Sequence, residues 1–314
     1  MAEYTMEAID LFNADFECNF DPTRRFYVEG GGVWVSGGAH SLQSGGFGGV
    51  YVCRHRSSGT LWAVKKVDLN AAVRIRTQEG VYATLPDKVA VLQRETQLMQ
   101  RLALLEHHPN IVGFGGAYCT PDGIPEYIIT EFTVGSVDLH TIVSRDRLNE
   151  TQAKPIFKQL CQAMNHLHTR TPQIMHRDIK SENIVVYGFG GPTPVVKLID
   201  FGFAKEVMGD EGTLDRGTPV TQAPEVTRQV PGTLRAPYGT KADCYSVGIT
   251  MFFALKRGYP VAPWAPGGPI PESQFPSSIS PGLREIIQRL VLNDVDARWS
   301  MQQALEHPWF TTQP

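Results

Sequence analysis

The eight residues His176-Arg177-Asp178-Ile179-Lys180-Ser181-Glu182-Asn183 constrain this chain more than any other stretch. They display a carboxylate, an ammonium and an amide from one short loop, with Lys180 two residues and Asn183 five residues after Asp178. Seventeen residues past Asn183, behind the β-rich run Val195-Val196-Lys197-Leu198-Ile199, comes Asp200-Phe201-Gly202. Ala223-Pro224-Glu225 lies further on. Any one of these pieces is weak evidence, because an isolated His-Arg-Asp serves equally well as a structural ion pair on a surface loop. Their joint occurrence in this order is specific.

The remainder of the chain suits a globular fold. Its 314 residues allow one large domain or two ordinary ones. With 42% hydrophobic and 19% charged residues, it is too apolar for a disordered polymer. Gly (30) and Pro (22) are numerous but aperiodic, which points to many turns rather than a collagen-like repeat. The net charge of −3 shows no basic excess, so neither nucleic acid nor a membrane surface is expected as a partner. Cys18, Cys53, Cys119, Cys161 and Cys244 are scattered and form no CxxC pair. Neither a disulfide framework nor a zinc ribbon is therefore expected, and a reducing, intracellular compartment fits, the cytoplasm with the nucleus as an alternative. The N-terminus carries acids where a signal peptide needs lysines and arginines, and the apolar run Val247–Leu255 is too short to span a bilayer.

Periodicity divides the chain into a β-rich and an α-rich part. Val50-Tyr51-Val52-Cys53 and Leu61–Val67 read as strands around the turn Arg56-Ser57-Ser58-Gly59. From 88 to 105 the apolar residues recur at helical spacing, through Val91, Leu92, Leu98, Met99, Leu102 and Leu105. Strand-like runs follow around Ile111–Ala117 and Tyr127–Phe132. Asn149 with Gln152 forms a capping-box signature ahead of a helix whose stripe is Ile156, Phe157, Leu160, Cys161, Met164 and Leu167. Residues 244–256 are apolar on every face, as a helix inside a large domain requires. An amphipathic stretch Leu283–Leu292 and a short helix near Met301–Glu306 close the chain. Six aromatics, Phe12, Phe16, Phe20, Phe26, Tyr27 and Trp34, lie in the first 35 residues without clear period, so part of this extension is expected to pack on the domain behind it.

Taken together, the loop at 176–183, Asp200-Phe201-Gly202 and Ala223-Pro224-Glu225 resemble the catalytic loop, metal-binding loop and activation-segment end of eukaryotic-type serine/threonine protein kinases. The resemblance runs from about residue 41 to 310. It implies an α+β, bilobal protein-kinase-like fold, with a small β-rich N-lobe carrying one key helix and a larger α-helical C-lobe. The corresponding divisions are an N-terminal extension at 1–35, an N-lobe at 36–133 and a C-lobe at 134–314. It also implies ATP and Mg²⁺ as cofactors, with Mn²⁺ as an alternative, and protein substrates. By this resemblance Asp178 accepts the hydrogen bond and proton of the substrate hydroxyl, Lys180 neutralises the γ-phosphate, and Asn183 and Asp200 are the metal ligands.

The same resemblance assigns the nucleotide site. Leu42–Val50 resembles the glycine-rich loop, with Gln43 in place of the first glycine and Gly45 and Gly48 as the second and third. In Trp62-Ala63-Val64-Lys65, Lys65 matches the ATP-anchoring lysine and Glu95 its partner. Val50, Ala63 and Val185 would sandwich the adenine; Thr130 would be the gatekeeper and Glu131 to Thr133 the segment whose backbone bonds the base. Met99, Phe114, His176 and Phe201 match the hydrophobic spine. Glu225 and Arg298 match a buried ion pair, and Asp243 matches the residue that supports the catalytic loop. No GxxxxGK[ST] and no complete GxGxxG occurs, which removes P-loop and Rossmann readings.

Lys180 and Gly217-Thr218-Pro219 are the serine/threonine form. The lengthened loop Tyr187–Pro194 and the terminal His307-Pro308-Trp309-Phe310 lean towards the calcium/calmodulin-dependent-kinase-like group. Thr213 is the candidate activation-loop phosphosite, facing a basic pocket of Arg177 and Lys205, which Asp210, Glu211 or Asp215 could fill instead. Glu182, with Asp138 nearby, implies a partial preference for substrates with upstream basic residues, because a third acid of the family falls on Phe253. Two other readings stay open: a pseudokinase-type scaffold, disfavoured because Lys65, Glu95, Asp178, Asn183 and Asp200 are all present, and a small-molecule kinase, disfavoured by the Gly217–Glu225 segment.

Overall fold

The computed structural model describes residues 8–17, 26–27, 34–35, 43–45, 48–70, 85–105, 107–207, 218–227, 238–261 and 268–312. Thr213 with its acidic neighbours, Gly46 and Phe47 of the glycine-rich loop, and residues 71–84 lie outside them. Two compact units form, one from residues 1–107 with 112–136 and the other from 108–111 with 137–314. The architecture is the mixed α+β one expected, an antiparallel N-terminal sheet followed by a helical C-terminal part.

The first unit opens with α1 (Ala8–Asp15) and β1 (Phe16–Glu17), then the paired strands β2 (Phe26–Tyr27) and β3 (Trp34–Val35). Its sheet comprises β1, β4 (Gln43–Gly45), β5 (Gly48–His55), β6 (Leu61–Val67), β7 (Phe114–Cys119) and β8 (Pro125–Glu131), in the order β1-β5-β6-β8-β7 with β4 also on β5. Strand alternation sorts the side chains onto two faces. Val91 and Leu92 of α2 (Leu85–Leu105) cluster with Ile128 on one face, while Cys53, Val64, Tyr127 and Ile129 gather on the other with Phe12 and Phe16. The two aromatics of the extension are thus core residues, as its composition suggested. Ile111 does not open β7 as its apolar run predicts. It makes a lone parallel bridge to Leu198, and the next strand begins at Phe114.

In the second unit, β9 (Val137–Asp138), β11 (Ile184–Tyr187) and β12 (Val195–Leu198) form one small sheet, and β10 (Ile174–Met175) pairs with β13 (Lys205–Glu206). Around them stand α3 (Leu139–Arg145), α4 (Glu150–His168), α5 (Pro224–Thr227), α6 (Lys241–Lys256), α7 (Pro281–Leu290), α8 (Met301–Glu306) and α9 (Pro308–Thr311). The capping box at α4 closes as expected: Gln152 N donates to Asn149 Oδ1 at 2.9 Å and Asn149 N to Gln152 Oε1 at 3.1 Å. The predicted stripe is buried throughout, each large side chain contributing roughly 1.5–3 kcal/mol. Residues Ala242–Leu255 of α6 are all buried, which explains their lack of a polar face. Gly248 lets α7 approach closely, since a Cβ there would lie 2.8 Å from Val291 Cγ1 and 2.9 Å from Leu290 Cβ.

Among the described residues no helix is long and apolar enough to cross a membrane. The cysteines depart from expectation at one point. Cys53 is disulfide-bonded, whereas Cys119, Cys161 and Cys244 are free thiols.

Candidate active site

The loop 176–180 is shaped by one carboxylate beneath it. Asp243, in the first turn of α6, accepts from the backbone N–H groups of His176 and Arg177, both at 2.8 Å, and meets His168 Nε2 at 3.1 Å. Burial pushes the Asp243 pKa upward, but the His168 bond and nearby positive charge outweigh it and hold the carboxyl below its ordinary value. These bonds keep Arg177 in the left-handed region at φ 66°, which a non-glycine residue avoids unless held there. Its guanidinium Nε donates to the Phe203 carbonyl at 2.6 Å.

His176 is fully buried, and burial, opposed by nearby carboxylates, lowers its pKa. The bonding pattern selects a neutral tautomer. Nε2–H donates to the Ile199 carbonyl at 3.1 Å, while Nδ1 accepts a longer bond from Asp178 N at 3.4 Å. Its ring meets Phe201 edge-on at 4.9 Å, so the catalytic-loop and Asp200-Phe201-Gly202 segments are fastened together.

The Asp178 side chain is almost wholly buried yet surrounded by donors. Thr218 Oγ1 donates to Oδ1 at 2.8 Å, and Oδ2 receives Asn183 Nδ2 at 3.1 Å and pairs with Lys180 Nζ at 2.9 Å. Asn183 Nδ2 also donates to the Asp178 carbonyl at 2.8 Å, which fixes the amide orientation. The β11–β12 hairpin places Asn183 beside Ile199, whose N–H donates to the Asn183 carbonyl at 3.0 Å. Asp200 follows with φ 63°, and its Oδ1 accepts from Gly202 N at 3.2 Å.

In the first unit, Lys65 Nζ donates to both oxygens of Glu95, at 3.0 and 2.8 Å. Both side chains are largely buried, so this is a bidentate, partly desolvated pair rather than a surface contact. Strand register sets Val50 opposite Lys65 and Ala63 opposite Thr130. Gln43 pairs with Val50 and Gly45 with Gly48, so the residue replacing a glycine sits in regular strand. Gly48 has its own structural reason: at φ 125°, a Cβ would lie 2.0 Å from the Lys66 carbonyl oxygen. Glu131 is tied to Gly113 twice, its N–H to the Gly113 carbonyl at 2.9 Å and its Oε2 to Gly113 N at 3.0 Å. Thr133 accepts from Ser136 N at 3.1 Å. Val185, half-buried on β11, pairs with Lys197 and Asp138.

The family described as protein kinase domain matches residues 39–310. The chain belongs to the protein kinase domain family. It is 28% identical over 283 residues to mouse death-associated protein kinase 2, covering 86% of this chain and 70% of that protein. It is 30% identical over 293 residues to rat serine/threonine-protein kinase D2, covering 85% of this chain but 29% of the relative. Human serine/threonine-protein kinase DCLK3 is 28% identical over 285 residues, 86% of this chain and 39% of its own length.

Other side chains of the second unit are also tied down, some in roles that the sequence did not show. His168, the third partner of Asp243, ends the buried stripe of α4, and a histidine on an apolar helix face reads as ordinary core. Asp138 is committed to capping α3, accepting from Thr141 N and Thr141 Oγ1, both at 2.7 Å. Phe253 stacks between His140 (5.6 Å, 7°) and Tyr259 (4.8 Å, 28°). Burial, then the Glu182 carboxylate, push the Tyr259 hydroxyl up to about 12, so Glu182 lies near this aromatic group. Thr221 is buried and donates to the Thr218 carbonyl at 3.1 Å. Arg298, fully buried, grips Glu225 with both terminal nitrogens at 2.6 and 2.9 Å.

Proposed function

We propose that this chain is an active protein serine/threonine kinase that transfers the γ-phosphoryl group of ATP to a serine or threonine hydroxyl, releasing ADP. The observation that carries the reading is the Asp178 carboxylate, held by Asn183 and Lys180 of its own loop and by Thr218 of the segment that ends at Glu225. Its Thr218 bond would align a substrate hydroxyl entering the same segment, and the hydroxyl proton would pass to Asp178 as the oxygen bonds to phosphorus. Lys180, already 2.9 Å from Asp178, would meet the developing charge on the γ-phosphate oxygens. Lys65, steadied by Glu95, would hold the α- and β-phosphates. Gln43, Gly45 and Gly48 would cover them, Val50, Ala63 and Val185 would enclose the adenine, and Thr130, Glu131 and Thr133 would line its edge.

Asn183 and Asp200 suit a hard cation: one offers an amide oxygen, because its nitrogen is turned to Asp178, and the other a carboxylate. A bound Mg²⁺ would supply charge neutralisation for the phosphates. Glu182 supports a partial preference for basic residues upstream of the phosphorylated hydroxyl. The relatives agree with the calcium/calmodulin-dependent-kinase-like leaning.

Transfer of labelled phosphate from Mg-ATP to a generic basic protein, or to the chain itself, tests the reading. Asp178→Asn should lower turnover by about 10²–10⁴-fold. No transfer by the wild-type chain, or equal transfer by Asp178→Asn, would reject it.

A further inference from the structure

Residues 8–17 precede the stretch that matches the kinase family, yet they carry two of the most buried aromatic rings of the first unit. Phe12 and Phe16, four residues apart, lie on one side of the segment, with Leu11 exposed to solvent. The Phe12 ring stacks on Tyr127 at 4.2 Å and 4°, and on Phe16 at 5.3 Å and 9°. Tyr118 meets both edge-on, at 5.6 and 6.1 Å. Phe16 also meets His55 edge-on at 5.1 Å. Aromatic pairs in these geometries add attraction beyond the burial of their area.

Polar contacts fix the segment at its edges. Tyr118 Oη donates to Asp15 Oδ2 at 2.6 Å, Arg56 Nε to the Asn13 carbonyl at 2.9 Å, and Arg56 N to the Asp15 carbonyl at 2.8 Å. Burial, then this bond to Asp15, raise the Tyr118 pKa. Phe16 and Glu17 continue the pairing along β5, opposite His55 and Arg54. The segment is therefore seated by two rings, one strand pairing and three hydrogen bonds.

We propose that residues 8–17 are a clasp docked in cis in an aromatic groove on the outer face of the sheet, and that its seating positions β6 for nucleotide binding. Val64 forms part of the groove floor with Tyr127 and Ile129. The adjacent residue, Lys65, projects from the opposite face of the same strand, where Glu95 holds it. Pressure on one face of β6 thus sets the height of the ammonium on the other. Removing the clasp would bare Val64, Tyr127 and Ile129 and loosen the strand that carries Lys65. The proposal rests on the reading of Lys65 as a nucleotide-binding residue, and it places the start of the working catalytic unit about 30 residues ahead of the family match.

The test uses the full chain with three changes: Phe12→Ala with Phe16→Ala, Phe16→Leu, and Tyr118→Phe. Thermal unfolding without nucleotide reads the clasp, and titration with a fluorescent ATP analogue reads the nucleotide site. The double variant should melt roughly 10 °C or more below wild type. Its analogue affinity should fall about fivefold or more, with KM for ATP rising more than kcat falls. A synthetic peptide of residues 8–17 added in trans should restore part of the lost affinity. Phe16→Leu, which keeps apolar volume, and Tyr118→Phe, which removes only the bond to Asp15, should show the same trend at smaller amplitude and serve if the double variant does not fold. Wild-type affinity in every variant, or lower stability with unchanged affinity and no effect of the peptide, overturns the positioning role. A wild-type chain that binds no nucleotide would instead sink the kinase reading and the positioning role together.

Discussion

Asp243→Asn is the substitution that should most cleanly separate the loop's scaffold from its chemistry. The side chain keeps its shape, but its two acceptor oxygens become one acceptor and one donor. His176 N and Arg177 N both point at this group from 2.8 Å, so one of them must then face an N–H₂. Hydrogen bonds to a charged acceptor contribute about 1.5–3 kcal/mol each, and a buried donor left unsatisfied costs about 1–3 kcal/mol. Losing one such bond and weakening the second and the His168 contact should cost about 3–5 kcal/mol of unfolding free energy. The left-handed Arg177, a conformation that itself costs on the order of 1–3 kcal/mol, would relax with it. Asp178 is the next residue, and a displacement of about 1 Å at a reacting group is worth about 10²-fold in rate. Urea unfolding followed by circular dichroism, paired with kcat for phosphate transfer, should show both losses. A variant within about 0.5 kcal/mol of wild type, or with kcat within about twofold, would refute the claim that this carboxylate holds the loop.

The buried pair Glu225–Arg298 should respond asymmetrically, because Arg298 is 0% exposed and Glu225 23%. Glu225→Ala strands a fully buried guanidinium and should cost about 3–5 kcal/mol, whereas Arg298→Met leaves a carboxylate that reaches water and should cost less; denaturant midpoints in the opposite order would contradict this. Acid should destabilise the fold through His176 and Asp243 in turn. The His176 pKa is lower folded than unfolded, so its contribution is complete above about pH 6.5 and declines as pH falls below that value. Asp243 is also depressed, so its contribution is complete above about pH 4 and is lost as pH falls through the folded value. Urea midpoints should therefore fall between pH 7.5 and 5.5, and His176→Phe should flatten that slope; an unchanged slope would remove His176 as the cause.

The parts of the site that could be read from sequence are those where the chemistry dictates the residue type. The roles proposed for Asp178, Lys180, Asn183 and Asp200, a proton acceptor, an ammonium and hard-cation ligands, ask for those residue types, and their resemblance to kinase motifs made them stand out. Helices were legible for a related reason: Asn149 and Gln152 carry the start of α4, and the 3.6-residue stripe carries its length. Strand starts were less so, because Ile111 is apolar whether it pairs within a sheet or bridges Leu198 alone. Phe12 and Phe16 escaped a periodic reading because a helix ends at Asp15, so the pair spans two kinds of backbone.

The acids show the same limit from the other side. Asp138 looked like a second carboxylate for a basic substrate, yet both of its oxygens are taken by Thr141, three residues on. That spacing is the N-cap signature, and an aspartate just before a helix is first a partner for orphan N–H groups. Phe253, where the family carries another acid, is stacked between His140 and Tyr259 and offers a ring face rather than a charge. Of the three positions, Glu182 alone keeps its carboxylate outside a helix cap, accepting from the Ser181 hydroxyl at 3.0 Å beside Tyr259. A half-buried single carboxylate can attract a substrate cation but cannot surround it. Its attraction is therefore closer to that of an isolated ion pair, on the order of 1 kcal/mol, than to that of a multidentate charged pocket. The partial preference proposed for upstream basic residues thus rests on how the neighbouring acids are used, which residue identity alone did not reveal.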